Sequence, residues 1–470
     1  MKCLGVCAAI SIAGSASAEP TYLALYLKGS KIGYSSYETA NVRRGGHLVS
    51  KSTSLTVLNT ALLGSNMEVS MNSTSWATPS GAPLRMTFLT KSSGRSNEVE
   101  ATFGAHVATV TVRSSGSTSS RKIPLPLGGD VVDDPLTDTL KRKLQKGQSR
   151  VVYVFDSATI SFLKNRVTAQ GDSIADVNGR KIRARLITIE DPTSKMEVFL
   201  DNHDDVVRVN AAMGITMLPV SKKVALAPNR SGEGPADLAV ETSIHTDKAI
   251  ENPDSLKELK IRITCPSISS IPSDAYQQVS RSGKSWIVDI CPARYTAEGG
   301  STNLHSTTQK KEWLQPSLYM PSDSPHIRKL ALSIIGSNKD VDAASHAIQL
   351  FVYRNMKFNS GIGVLRDANE ILKTREGVCR DFAVLTVTLL RAAGIPAKLA
   401  SGLVNGDGAF FYHAWAQAWD GKRWIGVDST TDRAQLSASH VKLGEGNIDT
   451  AFTFSFLDSA KIEVLNVQKD

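Results

Sequence analysis

Two periodicities divide this chain. Over residues 21–224 apolar and polar positions alternate: Met67, Val69 and Met71 stand against Glu68 and Ser70, and Val110 and Val112 against Thr109, Thr111 and Arg113. Ile182, Ala184 and Leu186 repeat the pattern against Lys181, Arg183 and Arg185. A period of two sends successive side chains to opposite faces, which predicts an antiparallel sheet with one wetted face. Lys28-Gly29-Ser30, Pro79-Ser80-Gly81 and Asn178-Gly179 divide the strands as turns. A single helical insert is expected over residues 135–146.

Residues 227–235 (APNRSGEGP) have linker composition. A shorter strand-rich stretch follows, with strands expected over 256–264 and 277–290 around a Ser282-Gly283 turn, and 298–302 makes a second joint. Beyond Ser324 the period lengthens. Ser324 and Pro325 open a helix with Ile327, Leu330, Ala331, Ile334 and Ile335 on one stripe. Val341, Ala344, Ile348 and Val352 mark a second helix, on which His346 reads as an ordinary surface histidine. Residues 367–373 form a third. From Cys379 a fourth carries Phe382, Leu385, Leu389, Ala392 and Ala393, and Gly394 with Pro396 stops it. Strands are then expected over 397–404, 410–419 and 422–428, separated by Asn405-Gly406-Asp407-Gly408 and Asp420-Gly421. Helices first, sheet afterwards, is an α+β order.

The chemistry concentrates in residues 374–431. A thiol at a helix start meets unpaired N–H groups and the positive end of the helix dipole, and both favour the thiolate. If Asp420-Gly421 is a two-residue hairpin loop, Trp419 pairs with Lys422, Trp415 with Gly426 and His413 with Asp428. Directly opposed residues share a face with Cβ atoms about 5 Å apart. The carboxylate then reaches one imidazole nitrogen and leaves the other for a thiol. A three-residue loop puts Ser429 opposite His413 and weakens that geometry. Cys379, His413 and Asp428 are therefore the candidate catalytic residues: nucleophile, proton shuttle and orienting carboxylate.

Four blocks in this region resemble the transglutaminase-like superfamily of papain-type thiol enzymes. They are Gly377-Val378-Cys379-Arg380-Asp381-Phe382-Ala383, Leu390 through Ala397 (LRAAGIPA), His413-Ala414-Trp415, and Trp424 through Thr430 (WIGVDST). The resemblance covers roughly the last third of the chain and implies a papain-like α+β domain with the same three catalytic residues. Several transglutaminases stabilise the oxyanion with a tryptophan upstream of the nucleophile, yet none lies between Trp313 and Trp415. The Cys379 backbone N–H remains as a donor, and no second one is identifiable; Tyr353 is a guess.

Length and composition set the surroundings. At 470 residues the chain is too long for one core. The expected division is a leader at 1–18, an antiparallel β domain at 19–226, a small module at 236–297 and the catalytic domain at 303–470. The leader has Lys2, an apolar core and Ala16-Ser17-Ala18 as a cleavage site, so the expected location is secreted or periplasmic. No later stretch approaches the ~20 apolar residues of a membrane span. The net charge of +9 is scattered, without a recognition helix or stacking aromatics for nucleic acid. Nine dispersed histidines offer no His-x-x-x-His pair, and Cys-x-x-Cys is absent, so no metal is expected; nor is a nucleotide or calcium cofactor. Cys265 and Cys291 can close a disulfide in an oxidising compartment, leaving Cys379 free. The expected activity is acyl transfer on peptide or glutamine-type amide bonds through a thioester, with hydrolysis favoured over crosslinking by analogy with bacterial relatives. The alternative is a catalytically silent binding or structural protein of the cell envelope.

Overall fold

A computed structural model of the chain describes residues 19–114, 117–191, 194–228, 234–266, 268, 270–292, 310–338, 340–406, 408–451 and 460–469. The expected leader, the joint at 298–302 and part of the 227–235 linker lie outside them. By its contacts the chain divides into two units. One ends at Glu241 and takes in Gly361–Val364; the other comprises Thr242–Ser360 and Leu365–Asp470.

Among the described residues of the first unit, fifteen strands make one sheet. Thr21–Leu27 lies mid-sheet, paired antiparallel with Ser30–Arg44 on one side and Ile215–Val220 on the other. The exception to antiparallel pairing is Asp130–Val131, which runs parallel to Ser149–Asp156. The alternation at 67–71 is obeyed, with Met67, Val69 and Met71 buried and Glu68 exposed. It fails in Arg180–Glu190, where Ile187, Thr188 and Ile189 are buried consecutively, so both faces are covered there. The sheet also curls on itself. Phe103, on a strand near one end of the sheet order, meets Phe155 and Phe162 from near the other, with ring centroids 5.6 and 6.3 Å apart. The helical insert is Pro135–Arg142, shorter than expected, because Lys143 turns into the left-handed region and its N–H bonds back to Leu140.

In the second unit, β1 (Ile244–His245) leads to β2 (Leu256–Thr264), β3 (Gln277–Ser282) and β4 (Ser285–Ile290). Helices α1 (Pro325–Ile335) and α2 (Val341–Asn355) follow, then β5 (Lys357–Phe358), α3 (Ala368–Thr374), β6 (Glu376–Gly377) and α4 (Cys379–Ala392). The chain continues as β7 (Ala397–Gly406), β8 (Ala409–Trp419), β9 (Trp424–Val427), β10 (His440–Gly446), α5 (Ile448–Ala451) and β11 (Lys461–Lys469). One sheet runs β1-β8-β7-β10 with β9 also on β8, and a second runs β3-β4-β2-β11. The strand-rich stretch expected over 236–297 thus shares a sheet with the last strand of the chain. It also shares a core with the first sheet: Leu259, Ile261, Val288 and Ile290 cluster with Leu403, Phe410 and Val441.

The disulfide is corrected by register. Thr264 pairs with Ser285 and Leu259 with Ile290, so Cys265 and Cys291 sit at opposite ends of the β2–β4 ladder. About 20 Å of strand separates them, against less than 7 Å between the Cα atoms of a bridge. The two are not bridged to each other, and Cys265 is buried in the core. No described helix is long and apolar enough to cross a membrane.

Candidate active site

Three features place Cys379. It is the first residue of α4, with Val378 at the cap, so its side chain stands where the helix's N–H groups are unpaired. Asp381, one turn on, accepts the Val378 N–H at 3.0 Å and fixes the entering backbone. The fully buried Arg366 backs this carboxylate at 3.4 Å and also donates to the Glu376 carbonyl and to Thr374 Oγ1. Gly377 makes that approach possible, since a Cβ there would come within 2.5 Å of the Asp381 Cβ and 2.9 Å of Arg366 Nη2. Cys379 itself remains partly accessible.

The hairpin carrying His413 differs in register from the expected one. Trp419 pairs with Trp424 and Gln417 with Gly426, leaving a four-residue loop in place of two. Asp420 holds that loop by accepting the Lys422 and Arg423 N–H groups, both at 2.8 Å. The shift is two residues, so every side chain keeps its face. Asp428, just past the end of β9, comes level with Trp415 and lies diagonal to His413, within side-chain reach. His413 Nε2 donates to Asp428 Oδ2 at 2.7 Å. His413 also hydrogen bonds the Cys379 thiol.

The loop bearing Asp428 is tied down from several directions. Thr430 donates to Oδ1 through its N–H (2.9 Å) and its hydroxyl (2.8 Å). Gln349 on α2 reaches the carbonyls of Asp428, Thr431 and Arg433 with one amide nitrogen. Ser429 Oγ lies 2.7 Å from Thr386 Oγ1, which joins the loop directly to the nucleophile helix. A fourth donor to the carboxylate is His440, the first residue of β10, whose Nε2 lies 3.2 Å from Oδ2. Trp415 stacks on His413 (6.1 Å, 21°) and meets His440 edge-on (5.4 Å, 82°).

These contacts set the charges. Burial alone would raise the Cys379 thiol, but the His413 hydrogen bond and charge, the Ala414 N–H and Arg380 outweigh it and hold the thiol below its ordinary value. Burial would lower His413, yet the Asp428 carboxylate and the thiol it bonds raise it to about 10. Burial would likewise raise Asp428; the two imidazoles hold it well below the usual carboxylate range. Both shifts favour a thiolate beside an imidazolium. Among the described residues, His413, Asp428 and His440 also form a group able to hold a metal ion, with one ligand atom from each within 4.8 Å of the others. The 2.7 Å contact is nevertheless a hydrogen-bond length, shorter than the ~3.3 Å between neighbouring ligands of a tetrahedral zinc with bonds near 2.0–2.1 Å.

Residues 328–429 match the family model for the transglutaminase-like superfamily, and the match contains Cys379, His413 and Asp428. This segment belongs to the transglutaminase-like superfamily. Relatives of the chain include an uncharacterized protein of Mycobacterium bovis, 34% identical over 119 residues, which are 22% of this chain and 36% of that protein. Another, from Mycobacterium leprae, is 30% identical over 145 residues, 29% of this chain and 50% of that protein. The chain thus spans between a third and a half of the length of these relatives. A solved structure described as a "Putative Cysteine Protease" from Cytophaga hutchinsonii overlaps 46% of this chain and 86% of its own, at 20% identity and a TM-score of 0.30. A β-barrel-like protein from Brucella abortus overlaps 43% of this chain and 96% of its own, at 12% identity and a TM-score of 0.31. At those scores neither likeness bears on chemistry.

Within the transglutaminase-like segment, all three expected residues converge. Tyr353, guessed as a second oxyanion donor, lies on α2 and is 39% exposed. His440, Gln349, Arg366 and Thr386 are the site residues that sequence reading missed. His440 lies on a strand whose neighbour, β7, is more than thirty residues earlier in the chain, so neither spacing nor hairpin counting reaches it. Asp381 sits three residues after the cap, the spacing from which a carboxylate reaches back to the cap N–H.

Proposed function

We propose that the chain is a cysteine-dependent acyl-transfer enzyme acting on peptide or glutamine-type amide bonds. The single observation that carries this reading is the bonded row Cys379–His413–Asp428, in which the thiol is held low and the imidazole high. The Cys379 thiolate attacks the amide carbon and the carbonyl π electrons move to oxygen, where the Cys379 N–H donates. His413, already protonated, gives its proton to the departing amine nitrogen as the C–N bond breaks, leaving a thioester and a neutral imidazole. His413 then takes a proton from water, whose oxygen attacks the thioester. The C–S bond breaks and the acid leaves, so that Cys379 is a thiolate again while His413 keeps the proton as imidazolium. An amine in place of water gives transamidation by the same steps.

Hydrolysis is favoured because it needs only an exposed thioester, whereas crosslinking also needs a site that binds an amine and excludes water. The leader-like residues 1–18 support export to the periplasm or beyond. Screening peptide and cell-wall peptide libraries with wild type against Cys379→Ala tests the reading. Turnover lost in the variant, with acid rather than crosslinked product, is the expected result. Turnover equal in both proteins, or none with any amide while the thiol behaves as an ordinary one, contradicts it.

A further inference from the structure

Asp428 accepts hydrogen bonds from two imidazoles at one oxygen, and only one of those imidazoles also meets the thiol. His440 is 6% exposed and takes no direct part in the transfer. An ionised carboxylate can only accept, so both histidines present N–H at Nε2. Ser439 Oγ lies 3.2 Å from His440 Nδ1 and is itself 2.7 Å from Ser437 Oγ. The backbone that carries His440 is pinned on both sides. Tyr276 Oη donates to the Ser437 and His440 carbonyls at 2.6 and 3.3 Å, and the Asn405 N–H donates to the Ser439 carbonyl.

We propose that His440 is a positioning residue of the triad, whose Nε2–H keeps Asp428 Oδ2 aimed at His413. The proposal rests on the reading of Cys379, His413 and Asp428 as a triad. Asp428 lies beyond the last paired residue of β9, and Thr430 holds only Oδ1, from within the same loop. A loop contact travels with the loop. His440 is anchored on β10, two strands away from His413 on β8 with β7 between them, so Oδ2 is fixed between two points of one sheet. Without that N–H the carboxylate keeps its bonds to Thr430 and His413 but loses the one donor to Oδ2 that is anchored on β10. The thiolate–imidazolium pair then loses part of its support.

The test follows iodoacetamide labelling of Cys379 against pH, read by peptide mass, in wild type, His413→Ala, His440→Phe and His440→Gln. Phenylalanine keeps the ring against Trp415 but has no donor; glutamine restores an N–H near the Nε2 position. We expect His440→Phe to label roughly tenfold more slowly near neutral pH, about the weight of one hydrogen bond to a charged group. Its acid limb should move to higher pH at unchanged melting temperature, and His440→Gln should recover most of the loss. A wild-type profile in a folded His440→Phe would make His440 a packing residue and overturn the proposal. If His440→Phe does not fold, His440→Asn, polar but too short to reach, replaces it with the same expected and contrary results. Zinc that shields the wild-type thiol but not the His440→Phe thiol would identify the three side chains as an ion site, and also overturns it. Slow labelling of wild type, indifferent to His413→Ala, fails the triad reading itself; fast wild-type labelling lost in His413→Ala but kept in His440→Phe fails this proposal alone.

Discussion

The two units bury aspartates to opposite effect. In the sheet unit Asp134 is 8% exposed and caps the Pro135–Arg142 helix, accepting from the Leu136 N–H and the Thr137 hydroxyl. Burial pushes it up to about 7, and its neighbour Asp133 up to about 6. In the second unit Asp428 is 4% exposed, yet it is held well below the usual range. The difference is not depth. Asp134 has neutral donors and a second carboxylate beside it, whereas Asp428 has four donors on its two oxygens, one of them from an imidazolium. What a buried acid does depends on what faces it, and only one of these environments supports a charge in the service of a base.

The largest effect expected from this contrast is on turnover. Asp428→Asn keeps the volume and removes the charge, and kcat/KM should fall on the order of 10³–10⁴-fold, as for other triads that lose their carboxylate. The matching change, Asp134→Asn, should leave turnover within about twofold, because it touches a cap in the other unit. Next comes Gln349→Ala, which frees the Asp428, Thr431 and Arg433 carbonyls. We expect kcat to fall about 10- to 100-fold with KM little changed, as for a misplaced catalytic group; an equal rise in KM would place Gln349 in substrate binding instead.

A smaller effect concerns pH. The Asp133 and Asp134 pKa values are raised above their unfolded values, so their contribution to stability is full below about pH 4 and is lost as pH rises through 6 to 7. The melting temperature of the sheet unit should therefore decline by several degrees across that window. Asp134→Asn should flatten the decline. Asp428 works in the other direction: its contribution is present above the ordinary carboxylate range and is lost as pH falls through its depressed value. The smallest effect is none at all. A reductant should not change the melting temperature, since Cys265 and Cys291 lie unbridged at opposite ends of their ladder.

Much of this was legible because local rules governed it. The helix start at Cys379 and the stop at Gly394 follow from residue types a few positions apart. Alternation gave the sheet unit its strands but not its curl, which depends on Phe103 meeting Phe155 and Phe162 from the far end of the sheet order. The hairpin shows the limit most clearly. Asp420 binds the Lys422 and Arg423 N–H groups and so lengthens the loop by two residues. Because two is the period of a strand, the pairing was misplaced while the face of Asp428 was right. Non-local partners such as His440, Gln349 and Arg366 leave no mark in spacing, since pairing of distant segments decides them.

The ultraviolet thiolate absorbance of wild type minus Cys379→Ala, titrated with and without His413→Ala, tests the central claim most directly. A thiolate present well below the ordinary thiol range in wild type, and displaced upward when His413 is removed, is the predicted result. A difference spectrum that titrates like a free cysteine and ignores His413 would contradict it.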